Sequence, residues 1–130
     1  MKRNLVLPLA SLLSILFASF HLVDDIVYGS EKSVASNLII VAILAVWLYG
    51  TLMLREGLAG HSIMLLGSLL GLTIFVTHLT GSGGLPGHQI GKLSGAFFFV
   101  WTLLALAVVC LVSLAASALG LWSLQRSKRL

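Results

Sequence analysis

The stretch AFFFVWTLLALAVVCLVSLAASALGLWSL, residues 96–124, contains no charged side chain. An α-helix rises about 1.5 Å per residue, so this stretch is longer than the roughly 30 Å that a helix needs to cross the hydrocarbon core of a bilayer. A helix that is apolar on every side has to be surrounded by other apolar groups. We therefore predict that residues 96–124 form a membrane-spanning helix, and that the remaining chain is organised around it.

Three further apolar stretches of membrane-spanning length precede this one, in residues 4–28, 34–54 and 62–79. The chain has 130 residues, of which 58% are hydrophobic and 9% charged, and its mean hydropathy is +1.08. This composition lies outside both the soluble globular class and the disordered class. Because short connections make neighbouring helices antiparallel, we predict one all-α transmembrane domain over residues 1–130, a four-helix bundle in up-down-up-down order.

The positive charges predict the orientation of the bundle in the membrane. Most of them precede the first span, separate the second from the third, or follow the fourth: Lys2, Arg3, Arg55, Arg126, Lys128 and Arg129. Lys32 and Lys92 fall on the opposite side. Cytoplasmic loops carry an excess of Lys and Arg, so we predict a multi-pass protein of the inner or plasma membrane with both termini in the cytoplasm.

The same distribution of charge bears on the partners of the protein. A net charge of +4 would suggest nucleic-acid binding in a soluble chain, but here the charges flank the spans as topology signals. We predict that the lipid bilayer is the main partner, that nucleic acid is not bound, and that another membrane subunit or a second copy of the chain is a candidate protein partner.

The first residues, MKRNLVLPLASLLSILFASF, resemble a secretory signal in their basic start and apolar run. The apolar run is longer than the hydrophobic region of such signals, and no Ala-x-Ala pattern follows it. We therefore expect this segment to be retained as the first helix.

Small and aromatic residues predict how the helices pack and where they meet the membrane surface. Small residues spaced four apart let helices approach closely in lipid, and the third and fourth spans contain two such pairs, Gly67 with Gly71 and Ala116 with Gly120. Tryptophan and tyrosine collect at membrane interfaces. We predict interfacial anchors at the ends of the second and fourth spans: Trp47, Tyr49, Trp101 and Trp122.

The most polar part of any span is ASFHLVDDIVYG, residues 18–29, at the end of the first apolar run. With 100° of rotation per residue, one stripe of this helix carries His21, Asp24, Asp25 and Tyr28. Ionisable groups in membrane helices usually face the bundle interior or a cavity, and they often mark a functional site. We predict that this stripe faces inward.

A second histidine is expected to meet this stripe. His78 lies near the end of the third span, on the helix face of Gly67 and Gly71, which we expect to be packed. In an up-down-up-down bundle the first and third spans run in the same direction, so His21 and His78 reach the same end. The glycine-rich connection of residues 80–95 holds His88, which we place over this end.

Imidazole nitrogen and carboxylate oxygen together bind zinc, nickel, cobalt or copper(II). We therefore predict a divalent transition-metal site with Tyr28 as a supporting side chain and these ligands: His21, Asp24, Asp25, His78 and His88. Two other interpretations stay open. A membrane redox subunit would bind b-type haem or quinone through His21 and His78, or the cluster would be a proton relay. Alternatively, the polar residues only cap the helix end.

No motif for a nucleophile, a phosphate-binding loop or a zinc protease is present in the chain. Cys110 is the single cysteine and lies within the fourth span, so it forms no internal disulfide. We therefore predict a small non-enzymatic membrane protein, an accessory, binding or transport component.

Overall fold

The computed structural model describes residues 5–28, 33–81 and 95–128, whose regular structure is entirely α-helical. The chain forms four helices: α1 (Val6–Val27), α2 (Val34–Met53), α3 (Leu58–Thr80) and α4 (Ala96–Ser127). Each is long and apolar enough to cross a membrane. The predicted all-α class with four long apolar helices is therefore confirmed.

Two helix boundaries differ from the sequence prediction by three or more residues. α3 begins at Leu58 rather than at residue 62, and α4 continues to Ser127 rather than ending at residue 124. Hydropathy identifies the apolar part of a helix, which can lie in lipid. At the start of α3 and at the end of α4, the helical backbone hydrogen bonds extend beyond that apolar part. The early start of α3 also depends on Gly60, because a side chain there would meet the backbone of Leu54.

Two of the described helix ends, the start of α2 and the end of α3, show recognisable caps. The hydroxyl of Ser33 accepts a hydrogen bond from the backbone N–H of Ser36, 3.3 Å away, which satisfies one of the free donors at the start of α2. Gly81 ends α3 in the left-handed conformation with φ of 69°, which glycine adopts without steric cost.

Contacts between the helices fix their relative directions. Ser11 near the start of α1 and Thr51 near the end of α2 have their hydroxyl oxygens 2.8 Å apart, so these helices are antiparallel. His21 and His78 meet near the ends of α1 and α3, so those helices run in the same direction. We call the end of the bundle where α1 and α3 terminate the Tyr28 end, and the opposite end the Leu54 end.

α4 is the centre of the packing. It contacts both α1 and α3 extensively, whereas α1 and α3 contact each other little. α2 packs against α1 and α3, and its buried residues all lie near the Leu54 end: Trp47, Gly50 and Thr51.

The interior changes character along the bundle. Towards the Tyr28 end it is mostly apolar below the histidines, with Ala18, Leu103 and Leu106 buried. Towards the Leu54 end it contains fully buried hydroxyl groups: Ser11, Ser14, Thr51, Ser68, Ser113 and Ser117. Hydroxyl groups buried in lipid-embedded bundles hydrogen-bond between helices or to the backbone of their own helix. The hydroxyls of Ser68 in α3 and Ser113 in α4 are 2.8 Å apart, for example.

Trp47 is buried inside the bundle, and the prediction that it is an interfacial anchor is wrong. Its side chain is only 3% exposed, and its indole ring lies against Gly67. Its N–H donates to the hydroxyl of Ser11 over 2.9 Å. The polar edge of the ring therefore finds its partner inside the bundle. Tyr49, Trp101 and Trp122, by contrast, are exposed.

The small residues singled out in the sequence lie where helices meet. Gly67 faces Trp47 of α2, and Gly71 faces the sulfur of Cys110 in α4. Ala116 is partly buried against the main apolar cluster, and Gly120 lies against the imidazole of His61. All of these contacts are made within the chain.

Candidate metal centre

Two buried histidines face each other at the Tyr28 end. His21 is 1% exposed and His78 is 4% exposed, and their Nε2 atoms are 2.7 Å apart. The rings meet edge to face at an angle of 84°. Two imidazole nitrogens at this distance need one N–H and one lone pair, so a single proton lies between them.

Asp25 completes the group. One of its carboxylate oxygens is 3.7 Å from Nε2 of His21, and the other is 3.7 Å from Nε2 of His78. The ligand atoms of the three residues all lie within 4.8 Å of one another. The side chain of Asp25 is 19% exposed, so Asp25 is the most accessible of the three from the surface.

The local sequence explains this arrangement. His21 and Asp25 are four residues apart on α1, which places their side chains one above the other on the same face. His78 comes from the last turn of α3. The group therefore forms only when α1 and α3 end at the same level, as they do here.

Phe99 of α4 holds both imidazoles in place. It is completely buried, and its ring centroid lies 4.8 Å from that of His21 and 5.4 Å from that of His78. The ring of Tyr28 packs edge-on against Phe99, with centroids 6.3 Å apart, and the Tyr28 hydroxyl lies against Gly95. The first turn of α4 thus closes one side of the group.

The Nδ1 atoms of both histidines are buried and have no hydrogen-bond partner within the described residues. In a neutral pair that shares one proton through Nε2, one Nδ1 is then an unpaired donor and the other an unpaired acceptor. Buried polar groups without partners are costly and usually indicate an ordered water, an ion or a functional role. The described residues therefore do not satisfy all the hydrogen-bonding groups of the pair.

The donor set fits a transition-metal ion after a small movement. In a tetrahedral zinc site with Zn–N bonds of about 2.0–2.1 Å, two nitrogens lie about 3.3 Å apart. The Nε2 atoms of His21 and His78 at 2.7 Å would therefore separate by about 0.6 Å. Binding would also remove the proton between the two Nε2 atoms, since a metal ligand needs the lone pair.

The structure brings together three of the five ligands predicted from the sequence, His21, Asp25 and His78. Asp24 is partly buried, and its Oδ2 atom has no hydrogen-bond partner in the described part of the chain, but it does not belong to the three-residue group. His88 lies outside the described residues. Tyr28 supports the group through Phe99 rather than as a direct partner of the histidines.

Sequence reasoning missed Phe99 and Gly95. A signal for Phe99 exists, because it begins a run of α4 positions spaced three or four apart whose members are buried: Phe99, Leu103, Leu106, Cys110, Ser113 and Ser117. The start of α4 lies beside the end of α3 in any antiparallel pair, so this spacing places an aromatic ring next to His78.

Comparisons with models of protein families, with curated proteins and with solved structures found no match to this chain. The function is therefore argued from the geometry described above.

Proposed function

We propose that this chain is a multi-pass membrane protein that binds a divalent transition-metal ion through His21, Asp25 and His78. The observation that carries the proposal is the convergence of three ligand atoms, from two helices, within 4.8 Å. Two imidazoles and one carboxylate are a donor set suited to zinc, cobalt, nickel or copper(II). Ionisable groups placed in an otherwise apolar bundle are costly and therefore favour a functional role.

The proposed orientation follows from the charges that flank the spans. With both termini in the cytoplasm of a cell bounded by an inner or plasma membrane, the Tyr28 end faces the extracytoplasmic side. The partly exposed carboxylate of Asp25 then receives the ion from outside, and the two buried histidines hold it.

Three protein donors leave at least one coordination position for water or another ligand. Within the described residues, the Nδ1 atoms of both histidines have no outer partner, and such partners strengthen metal binding about 10- to 100-fold. These features support a site that exchanges its ion, as expected for a binding or transport component rather than for a permanent structural metal.

The geometry favours a metal ion over the haem alternative. Axial ligation of b-type haem places an iron between the two histidines and a flat macrocycle around that iron. His21 and His78 are in direct contact at 2.7 Å, and Phe99 packs against both rings. A haem would therefore require α1 and α3 to move apart and Phe99 to leave, whereas a metal ion needs only a small separation of the rings.

Titration of the purified protein in detergent with Zn²⁺, followed by calorimetry, tests the proposal. We expect one ion to bind per chain, and at least about tenfold weaker binding in His21→Ala and in His78→Ala, because even loss of an outer partner costs this much. Thr77→Ala is the matched control, since Thr77 lies beside His78 on α3 but its hydroxyl donates to the carbonyl of Ile74 in the same helix. Absence of stoichiometric binding, or equal binding by all variants, would identify the cluster as a polar cap. A Soret band in the purified protein would support haem instead.

A further inference from the structure

Donor atoms continue from the candidate metal centre along the interface between α3 and α4. This seam comprises two rows of residues spaced three or four apart, which face each other. On α3 the row contains His61, Met64, Ser68, Gly71, Phe75 and His78. On α4 it contains Phe99, Leu103, Leu106, Cys110, Ser113, Ser117 and Gly120.

Specific contacts show that the two rows face each other. The sulfur of Cys110 lies against Gly71, and the imidazole of His61 lies against Gly120. Between these contacts, the hydroxyls of the Ser68 and Ser113 pair are 2.8 Å apart. From His78 to His61 the seam extends about 25 Å at helical rise, close to the thickness of a hydrocarbon core.

Ser117 is the second observation that points to a ligand in the seam. It is 0% exposed, and its hydroxyl has no hydrogen-bond partner among the described residues. It lies four residues after Ser113 and three before Gly120, both of which contact α3, so its side chain is on the same face. A buried hydroxyl without a partner is energetically costly, and a polar ligand in the seam would offset that cost.

An apolar layer separates the candidate metal centre from the polar part of the seam. Leu106 is 0% exposed and Leu103 is 6% exposed, and both lie on α4 between Phe99 and Cys110. Apolar constrictions of this kind stop polar species until the helices move apart. In this structure the metal centre is therefore closed towards the Leu54 end.

We infer that the seam is the route by which the metal ion crosses the bundle, with Leu106 as an apolar gate. This inference rests on the proposed function. The ion would leave the imidazoles and the carboxylate at the Tyr28 end and meet the sulfur of Cys110 once Leu106 moves aside. It would then pass the hydroxyls of Ser113 and Ser117, and the imidazole of His61 is the last donor at the Leu54 end. Nitrogen, sulfur and oxygen donors in sequence suit a transition-metal ion better than an alkali ion.

Zinc flux into proteoliposomes tests the route. Vesicles containing the purified full chain and an impermeant zinc-sensitive dye receive external Zn²⁺. We expect faster influx than in protein-free vesicles, and a several-fold faster influx for Leu106→Ser, because a hydroxyl weakens the apolar gate. Leu104→Ser is the matched control, since it makes the same change two residues away on a side chain that is 50% exposed. Its influx should equal that of the wild type.

Cys110 offers a second measurement, because it is the single cysteine of the chain. A small cationic thiol reagent should label it slowly in the wild type, faster in Leu106→Ser, and more slowly when Zn²⁺ is present. The labelling of Cys110 is measured in the wild type as well as in the variant, so it still tests the route if Leu106→Ser folds poorly.

The outcomes separate the inference from the proposed function. If Zn²⁺ binds at the His21 and His78 centre but influx never exceeds that of empty vesicles, the route is wrong and the centre stands. The route is also wrong if Zn²⁺ leaves the labelling of Cys110 unchanged, or if Leu104→Ser and Leu106→Ser have equal effects. If Zn²⁺ does not bind at all, the proposed function itself fails.

Discussion

The indole ring of Trp47 in α2 occupies the space beside Gly67 in α3 where any other residue would carry its Cβ atom. This contact allows a large aromatic ring to be 3% exposed in the interior of a small bundle. It also sets the distance between α2 and α3 near the Leu54 end.

Replacing Gly67 by Ala should therefore lower the free energy of unfolding by about 1–3 kcal/mol, because the added methyl group overpacks the interior against a rigid ring. Unfolding in mixed detergent micelles measures the change. Gly57→Ala is the control, since the nearest atom to an added Cβ there is 3.7 Å away. Equal stability of the two variants would show that Trp47 does not pack against α3 in this way.

The hydrogen bonds around Trp47 predict a second effect. The hydroxyl of Thr51 donates to the carbonyl of Trp47 over 2.9 Å, so the proton between Ser11 and Thr51 comes from Ser11, which accepts from the indole N–H. Ser11→Ala leaves that N–H without a partner and should cost about 0.6–1.7 kcal/mol.

Ser19→Ala provides the comparison for this measurement, because the Ser19 hydroxyl bonds only to the carbonyl of Ile15 in its own helix. Its loss removes no bond between helices. If Ser19→Ala destabilises the protein as much as Ser11→Ala does, the interhelical bond contributes nothing measurable.

The two adjacent aspartates are expected to differ in their effect on metal binding. Asp25 lies 3.7 Å from Nε2 of both histidines, whereas Asp24 is outside the group. Asp25→Asn should weaken Zn²⁺ binding at least about tenfold, because it removes a charged ligand, and Asp24→Asn should have a smaller effect. Calorimetry on both variants measures this difference, and a larger effect of Asp24→Asn would mean that the wrong carboxylate has been assigned.

Acidification should weaken Zn²⁺ binding. A metal ion binds the neutral imidazole and the ionised carboxylate, so protons compete with it for the ligand atoms. Binding is therefore strongest at neutral and higher pH, and it should fall as the pH is lowered into the acid range. Calorimetry across this range provides the measurement. An affinity that stays constant well into the acid range would contradict binding through imidazole and carboxylate.

The orientation in the membrane is tested with reporter fusions. A reporter that is active only in the cytoplasm should work when fused after Leu130, because the chain carries most of its Lys and Arg on that side. The same reporter inserted between α3 and α4 should be inactive. The opposite pattern would reverse the orientation and place the His21 and His78 centre on the cytoplasmic side.

The number and approximate position of the helices could be predicted from the sequence because long uncharged runs have few alternatives. The rotation of each helix about its axis was harder to predict. In a bundle surrounded by lipid, the outward and inward faces are both apolar, so hydropathy does not distinguish them. Only polar and small residues mark the inward face.

This explains why parts of the site were predictable and others were not. The spacing of His21 and Asp25, and the position of His78 on the face of Gly71, carry that polar or small-residue signal. Trp47 carries none, and Phe99 is marked only by the small and polar residues further along its row on α4, because an aromatic residue by itself is equally common facing lipid. Their burial depends on a partner from another helix, which a single sequence does not identify.

The dominance of α4 in the packing has a consequence for biosynthesis. α1 and α3 supply all three candidate ligands, yet they contact each other little and both pack mainly against α4. α4 is also the last of the four helices to leave the ribosome. In a chain inserted as we propose, a nascent protein that has released only three helices already contains every ligand but lacks the surface that aligns them. If the centre binds metal as we propose, it can acquire its ion only after the final helix has entered the membrane.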